Sequence, residues 1–182
     1  MPPENTPFDP QRILEVLARH QVQCVVIGGY AAVLAGIDIV TRDIDITPAV
    51  EPDNLQRLAD ALSELHAAIR VRAGEPPVPL PADPRLLARG EIWNLATDAG
   101  DLDITTRPDG TNGYEDLKDG AYRQPLPGGL HIPIASLQDI IRSKTAAGRA
   151  KDLAALPQLR AALERQRDTA NIPDPPADPD DH

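Results

Sequence analysis

Val40-Thr41-Arg42-Asp43-Ile44-Asp45-Ile46-Thr47 is the stretch whose reading decides the fold. Read as a strand, its period of two puts Asp43 and Asp45 on one face and sends Ile44 and Ile46 into a core. Two carboxylates side by side are costly to keep ionised unless a cation lies between them. A hard divalent ion such as magnesium, commonly held by one or two carboxylates together with substrate phosphates, would meet that need. The alternative is a solvated edge strand whose charges discourage aggregation.

Upstream, Val22 to Ile27 is a compact, β-branched-rich run bounded by Gly28-Gly29, and Tyr30 to Ala35 follows as a small-residue helix ending at Gly36. A strand therefore enters a helix through two glycines. Downstream, Glu91 to Thr97 and Asp101 to Thr106 are β-prone runs joined by Asp98-Ala99-Gly100, which predicts an antiparallel hairpin with a three-residue connection. Asp101 and Asp103 share one face of its second strand, so either offers a third carboxylate.

The remaining elements are predicted in the same way. Asp9-Pro10 opens a helix over Phe8 to Gln21, and Pro52 or Asp53 opens another with apolar positions at Leu55, Leu58, Leu62, Leu65 and Ile69. Five prolines between Gly74 and Pro84 predict a stiff exposed loop, and Pro108 to Gly129 reads as turn-rich with only fragments of regular structure. His131 to Ile134 reads as a short strand. Ser136 then caps a helix running to Ala147, followed by helical patterns over Arg149–Leu156 and, with Pro157 in its first turn, Pro157–Arg167.

Length and composition bound what this set can be. The 182 residues predict one domain over residues 1–170, helical from about 136, with an acidic, proline-rich and disordered tail at 171–182. The core is aliphatic, and the single cysteine, Cys24, permits no internal disulfide. Neither a secretory signal nor a membrane-spanning run is present, so a cytoplasmic protein without membrane contact is expected. Net charge is −10, about −6 without the tail aspartates, which disfavours general phosphate-backbone binding and confines any nucleic-acid contact to a local patch. Arg142, Lys144, Arg149, Lys151, Arg160, Arg165 and Arg167 supply a basic strip, which also reads as a solvated helix face. The four histidines show no zinc spacing.

The glycine turn, the Asp-x-Asp pair and a third aspartate on a later strand, in that order, resemble the polymerase-beta-like nucleotidyltransferase superfamily. Within it, Thr41-Arg42-Asp43-Ile44-Asp45, the hairpin from Trp93 to Ile104 and the stretch Lys144 to Asp152 look like the small toxin nucleotidyltransferases of the MenT and AbiEii type. The resemblance covers most of residues 22 to 156. It implies an α+β fold, a small mixed β-sheet with helices around it and a helical C-terminal part.

The same resemblance implies the site. Asp43 and Asp45 would hold magnesium, and Asp103, preferred to Asp101, would complete the metal site or accept the attacking hydroxyl's proton. Gly28 and Gly29, with Thr41 and Arg42 beside the metal ligands, would meet the nucleoside triphosphate; the family often has serine where Gly29 stands. Lys144 would neutralise phosphate, and Asp152 would orient it. On a continuous helix those two are turned by about 80° and separated by about 12 Å, so they meet only if Gly148 bends the chain. The implied acceptor is an RNA 3′ end, first a transfer RNA acceptor stem, and the implied partner a kinase-like antitoxin acting at Thr41. A protein or aminoglycoside-like hydroxyl is the alternative acceptor, and a non-catalytic antitoxin-like module the alternative class.

Overall fold

A computed structural model describes residues 6–71 and 75–170 of the chain. Gly74 and the tail from Asn171 lie outside the described residues. Among the described residues, eight strands form one mixed sheet, in the order β4-β3-β5-β6-β2-β1-β8-β7. They are β1 (Cys24–Ile27), β2 (Asp43–Pro48), β3 (Ala68–Ile69), β4 (Val78–Pro79), β5 (Ile92–Thr97), β6 (Gly100–Thr105), β7 (Tyr122–Pro125) and β8 (His131–Ile134). The helices are α1 (Pro10–Arg19), α2 (Gly28–Leu34), α3 (Pro52–Glu64), α4 (Pro84–Leu87), α5 (Tyr114–Leu117), α6 (Leu137–Ala147) and α7 (Ala150–Ala170). This is the α+β architecture expected from the sequence.

Alternation does the folding work at the centre of the sheet. Ile44 and Ile46 on β2, with Leu102 and Ile104 on β6, are buried, while Asp43, Asp45, Asp101 and Asp103 stand on the opposite face. Under the apolar face pack α1 and α3, through Ile13, Leu14 and Leu17 and through Leu55, Leu58 and Leu62. Cys24 belongs to this core, and burial pushes its thiol up to about 12, leaving it unreactive at neutral pH. Trp93 on β5 lies under Gly90, where a Cβ would run into the indole. Among the described residues, no helix is long and apolar enough to cross a membrane.

Several boundaries differ from those predicted. The hairpin connection is two residues, because Gly100 pairs with Thr97 and the Thr97 hydroxyl donates to the Gly100 carbonyl while accepting from Ala99 N–H. Helix α3 stops at Glu64, since His66 takes a positive φ of 50°, and Ile69 belongs to β3. The proline-rich loop contains β4 and leads into the short α4, capped by Asp83. The turn-rich region contributes β7, paired to β8. Strand β2 continues through Pro48 into the expected break, and α2 begins at Gly28 rather than Tyr30. The two C-terminal helical patterns are one helix, α7, with Pro157 inside it. Proline's fixed φ suits a helix, and the one hydrogen bond it forgoes falls at the exposed Leu153.

Candidate active site

The sheet's register decides what can meet. Strand β2 pairs in parallel with β6 so that Asp43 lies opposite Asp101 and Asp45 opposite Asp103. Across β1, Ile27 pairs with Asp45, and across β5, Asn94 pairs with Asp103. One rung of the sheet thus runs Ile27, Asp45, Asp103, Asn94, with strands about 4.8 Å apart. It forms the floor of an open cleft of about 670 Å³. Asp103 lines this cleft, whereas Asp101 sits one rung away and is more exposed.

The electrostatics of the rung are strained in one direction. Burial, then repulsion from Asp43 and Asp103, pushes the Asp45 carboxyl up to about 6, although the Gly29 N–H and the Lys144 charge pull the other way. Asp103 is also raised, because burial outweighs the opposing Arg70 guanidinium. Among the described residues, no group of three His, Cys, Asp or Glu side chains is disposed to hold a metal ion. Asp43 and Asp45 do make a two-carboxylate pair with uncompensated charge. That donor set suits a hard cation whose other ligands come from phosphate oxygens and water.

Gly28 and Gly29 shape this pair. Gly28 has φ of 68°, and a Cβ there would fall on the Asp45 carboxylate. At Gly29 a Cβ would come 2.9 Å from the Thr41 hydroxyl, which itself donates to Asp43 at 2.8 Å. The glycines therefore make room for the aspartates and Thr41, and the Gly29 amide is directed to Asp45. Gly28→Ala is expected to cost about 1–2 kcal/mol through its left-handed backbone. It should also displace the Asp45 carboxylate while the protein remains folded, which thermal melts checked by circular dichroism read out.

Beyond the glycine turn, α6 ends in a left-handed Gly148 with φ of 61°, and α7 begins two residues later. The chain reverses there, so Lys144 Nζ lies 2.8 Å from Asp152 Oδ1, and Arg149 Nε reaches Asp152 Oδ2 at 2.5 Å. Asp152 is 1% exposed. Burial pushes its carboxyl up, but the hydrogen bonds from Lys144 and Arg149 win and hold it below the usual range. Lys144 lines the cleft and is close enough to Asp45 to act on its ionisation. Arg42 lines the cleft as well.

No family model matches the chain, and no curated protein does. Among solved structures, the lincomycin-bound lincosamide antibiotic adenylyltransferase LnuA is similar with a TM-score of 0.52 and 17% identity, over 87% of this chain and 99% of its own. The chain has the nucleotidyltransferase fold. A Thermotoga maritima protein provisionally described as a nucleotidyltransferase gives a TM-score of 0.49 and 20% identity, over 86% of this chain and 91% of its own.

Within this nucleotidyltransferase fold, the structure brings in residues that the sequence did not single out. Arg70, just past β3, donates through Nη1 to Asp101 at 2.5 Å and through Nη2 to Asp103. It extends the β3–β5 pairing, its N–H bonding to the Asn94 carbonyl at 2.9 Å. Asn94 and Ile92, both exposed, complete the β5 side of the cleft. Their signal was present in the alternation of Ile92, Asn94 and Ala96 against Trp93, Leu95 and Thr97, which assigns the first set to the face of the aspartates. For Arg70 no such signal existed, because β3 is two residues long and follows a helical pattern.

Proposed function

We propose that residues 1–170 form one nucleotidyltransferase domain that transfers a nucleotide from a nucleoside triphosphate to an RNA 3′ end, first a transfer RNA acceptor stem, as the toxin of a toxin–antitoxin pair. The observation that carries this reading is the placement of Asp43, Asp45 and Asp103 on one face of the sheet, half-buried at the floor of the cleft. Asp43 and Asp45 would hold magnesium, which when bound supplies charge neutralisation at the α-phosphate. Asp103, steadied by Arg70, accepts the proton of the acceptor hydroxyl. The acceptor oxygen forms a bond to the α-phosphorus, the bond to the pyrophosphate oxygen breaks, and pyrophosphate leaves. Lys144, positioned by Asp152, offers a point charge to the departing phosphates.

Thr41 supports the regulatory half of the reading. Its hydroxyl donates to Asp43, so a phosphate added there by a kinase-like antitoxin would set an anion against the metal pair and the incoming triphosphate. The competing acceptor is a small-molecule or protein hydroxyl. An acidic chain suits a cationic molecule, and LnuA, which shares the fold, is named for a lincosamide antibiotic. The third reading, a non-catalytic nucleotide-binding module, would not need Asp43, Asp45 and Asp103 kept together on one face of the sheet.

Incubation with α-labelled nucleoside triphosphates, magnesium and either total RNA or total protein tests the proposal. Label is expected in RNA. Transfer to protein or to an aminoglycoside instead would replace the acceptor, and no transfer with any divalent metal would overturn the enzyme reading.

A further inference from the structure

The rung that carries Asp45 and Asp103 has two ends, and they are chemically different. At one end stand β1, the glycine turn and, through α6 packed against α2, Lys144. At the other stands β5, where Asn94 pairs directly with Asp103 and Ile92 with Thr105. In an in-line displacement the attacking and leaving oxygens lie on opposite sides of the phosphorus. If Lys144 and the glycine turn receive the departing phosphates, the acceptor must come over β5.

We infer that Ile92 and Asn94 form the ledge that receives the acceptor's terminal ring, and that this ring is the uncharged 2′,3′-diol end of an RNA. The inference rests on the nucleotidyl-transfer reading and names the acceptor subsite within it. Asn94 is one strand spacing, about 4.8 Å, from Asp103 on the side away from Asp45. Its side-chain amide is exposed and has no hydrogen-bond partner among the described residues. An amide both donates and accepts, so it holds one hydroxyl of a vicinal pair while the other faces Asp103. Ile92, 63% exposed within the cleft, offers an aliphatic surface to the ring. Arg70 is engaged by Asp101 and Asp103, and a second guanidinium, Arg107, also lines the cleft, so the two carboxylates beside the ledge are matched by two cations. A polycationic acceptor would want free carboxylates here, and those of Asp101 and Asp103 are met by Arg70.

The test compares RNA oligonucleotides ending in a ribose diol with the same sequences ending in a 2′-deoxy residue, using the wild type, Asn94→Ala and Ile92→Asp. Wild type is expected to favour the diol about tenfold in kcat/KM, the worth of one hydrogen bond to a substrate hydroxyl. Asn94→Ala should lose that preference, and Ile92→Asp should raise KM for both oligonucleotides. Affinity for a fluorescent nucleoside triphosphate should stay within about twofold in each variant, which also reports that they fold. A wild type that labels RNA without preferring the diol, or an Asn94→Ala variant that keeps the preference, overturns the ledge and leaves nucleotidyl transfer standing. A wild type that binds the triphosphate but labels a cationic small molecule in place of RNA overturns the diol occupant. Failure to bind or transfer any nucleotide overturns both.

Discussion

Asp45→Asn is expected to abolish transfer, by at least a thousandfold, and at the same time to make the metal-free protein more stable at pH 8. The carboxyl of Asp45 is raised from its ordinary 3.8 to about 6, first by burial and then by Asp43 and Asp103. By linkage that difference corresponds to roughly 3 kcal/mol. Its sign follows from which state holds the proton more tightly. The folded protein does, so the penalty is absent below about pH 4, grows as pH rises towards 6, and is fully present above it. Asparagine carries no charge and can still accept from the Gly29 N–H, so the penalty disappears. Thermal melting should therefore show the variant about 6–12 °C above wild type at pH 8 and level with it at pH 4. Magnesium should raise the melting temperature of wild type and leave that of the variant unchanged. A variant that melts lower at pH 8 would mean that Asp45 is already compensated within the fold, and the metal assignment would go with it.

The second large effect is expected at Asp152, and it runs the other way. Its carboxylate is almost fully buried and receives Lys144 at 2.8 Å and Arg149 at 2.5 Å. Removing one partner from a buried pair leaves a charge without compensation, at roughly 3–5 kcal/mol. Arg149 is 64% exposed and can turn to water, so about 2–4 kcal/mol is the expected loss in Asp152→Ala. Because the folded-state carboxyl is held below its ordinary value, its contribution is complete above about pH 4 and is lost as pH falls further. The variant should accordingly lose part of the wild type's acid sensitivity in pH-dependent melts. If Asp152 serves Lys144, KM for the nucleoside triphosphate rises at least tenfold while kcat changes less. A loss of stability with KM untouched would make the pair a purely structural clasp between α6 and α7.

The chain shows which parts of such a site can be read without coordinates. The pairing of Asp43 with Asp45 was legible because a strand's period is an invariant of its backbone, and Ile44 and Ile46 marked the inner face unambiguously. Parity alone could not separate Asp101 from Asp103, since both stand on one face. Only the parallel register, a relation between strands nearly sixty residues apart, gives each its neighbour across β2. The approach of Lys144 to Asp152 hinged on a bend at Gly148, which was visible in the sequence as a condition to be met and which the structure meets with a left-handed residue. Arg70 was invisible for the opposite reason: its strand is too short for any pattern, and its partners are set entirely by tertiary pairing. Strands β4 and β7 went unseen among prolines and turns because edge strands need few residues and tolerate proline.

One feature of the sheet turns the molecule into its own instrument. Trp93 is the chain's sole tryptophan, held beneath Gly90 and next in line to both Ile92 and Asn94. Its indole nitrogen is buried and has no hydrogen-bond partner among the described residues. A ligand that settles over β5 lies on the strand that carries this ring, whereas a triphosphate bound at the glycine turn lies three strands away. Ultraviolet fluorescence from the unlabelled protein can thus tell which end of the cleft is filled, and in what order the two substrates arrive.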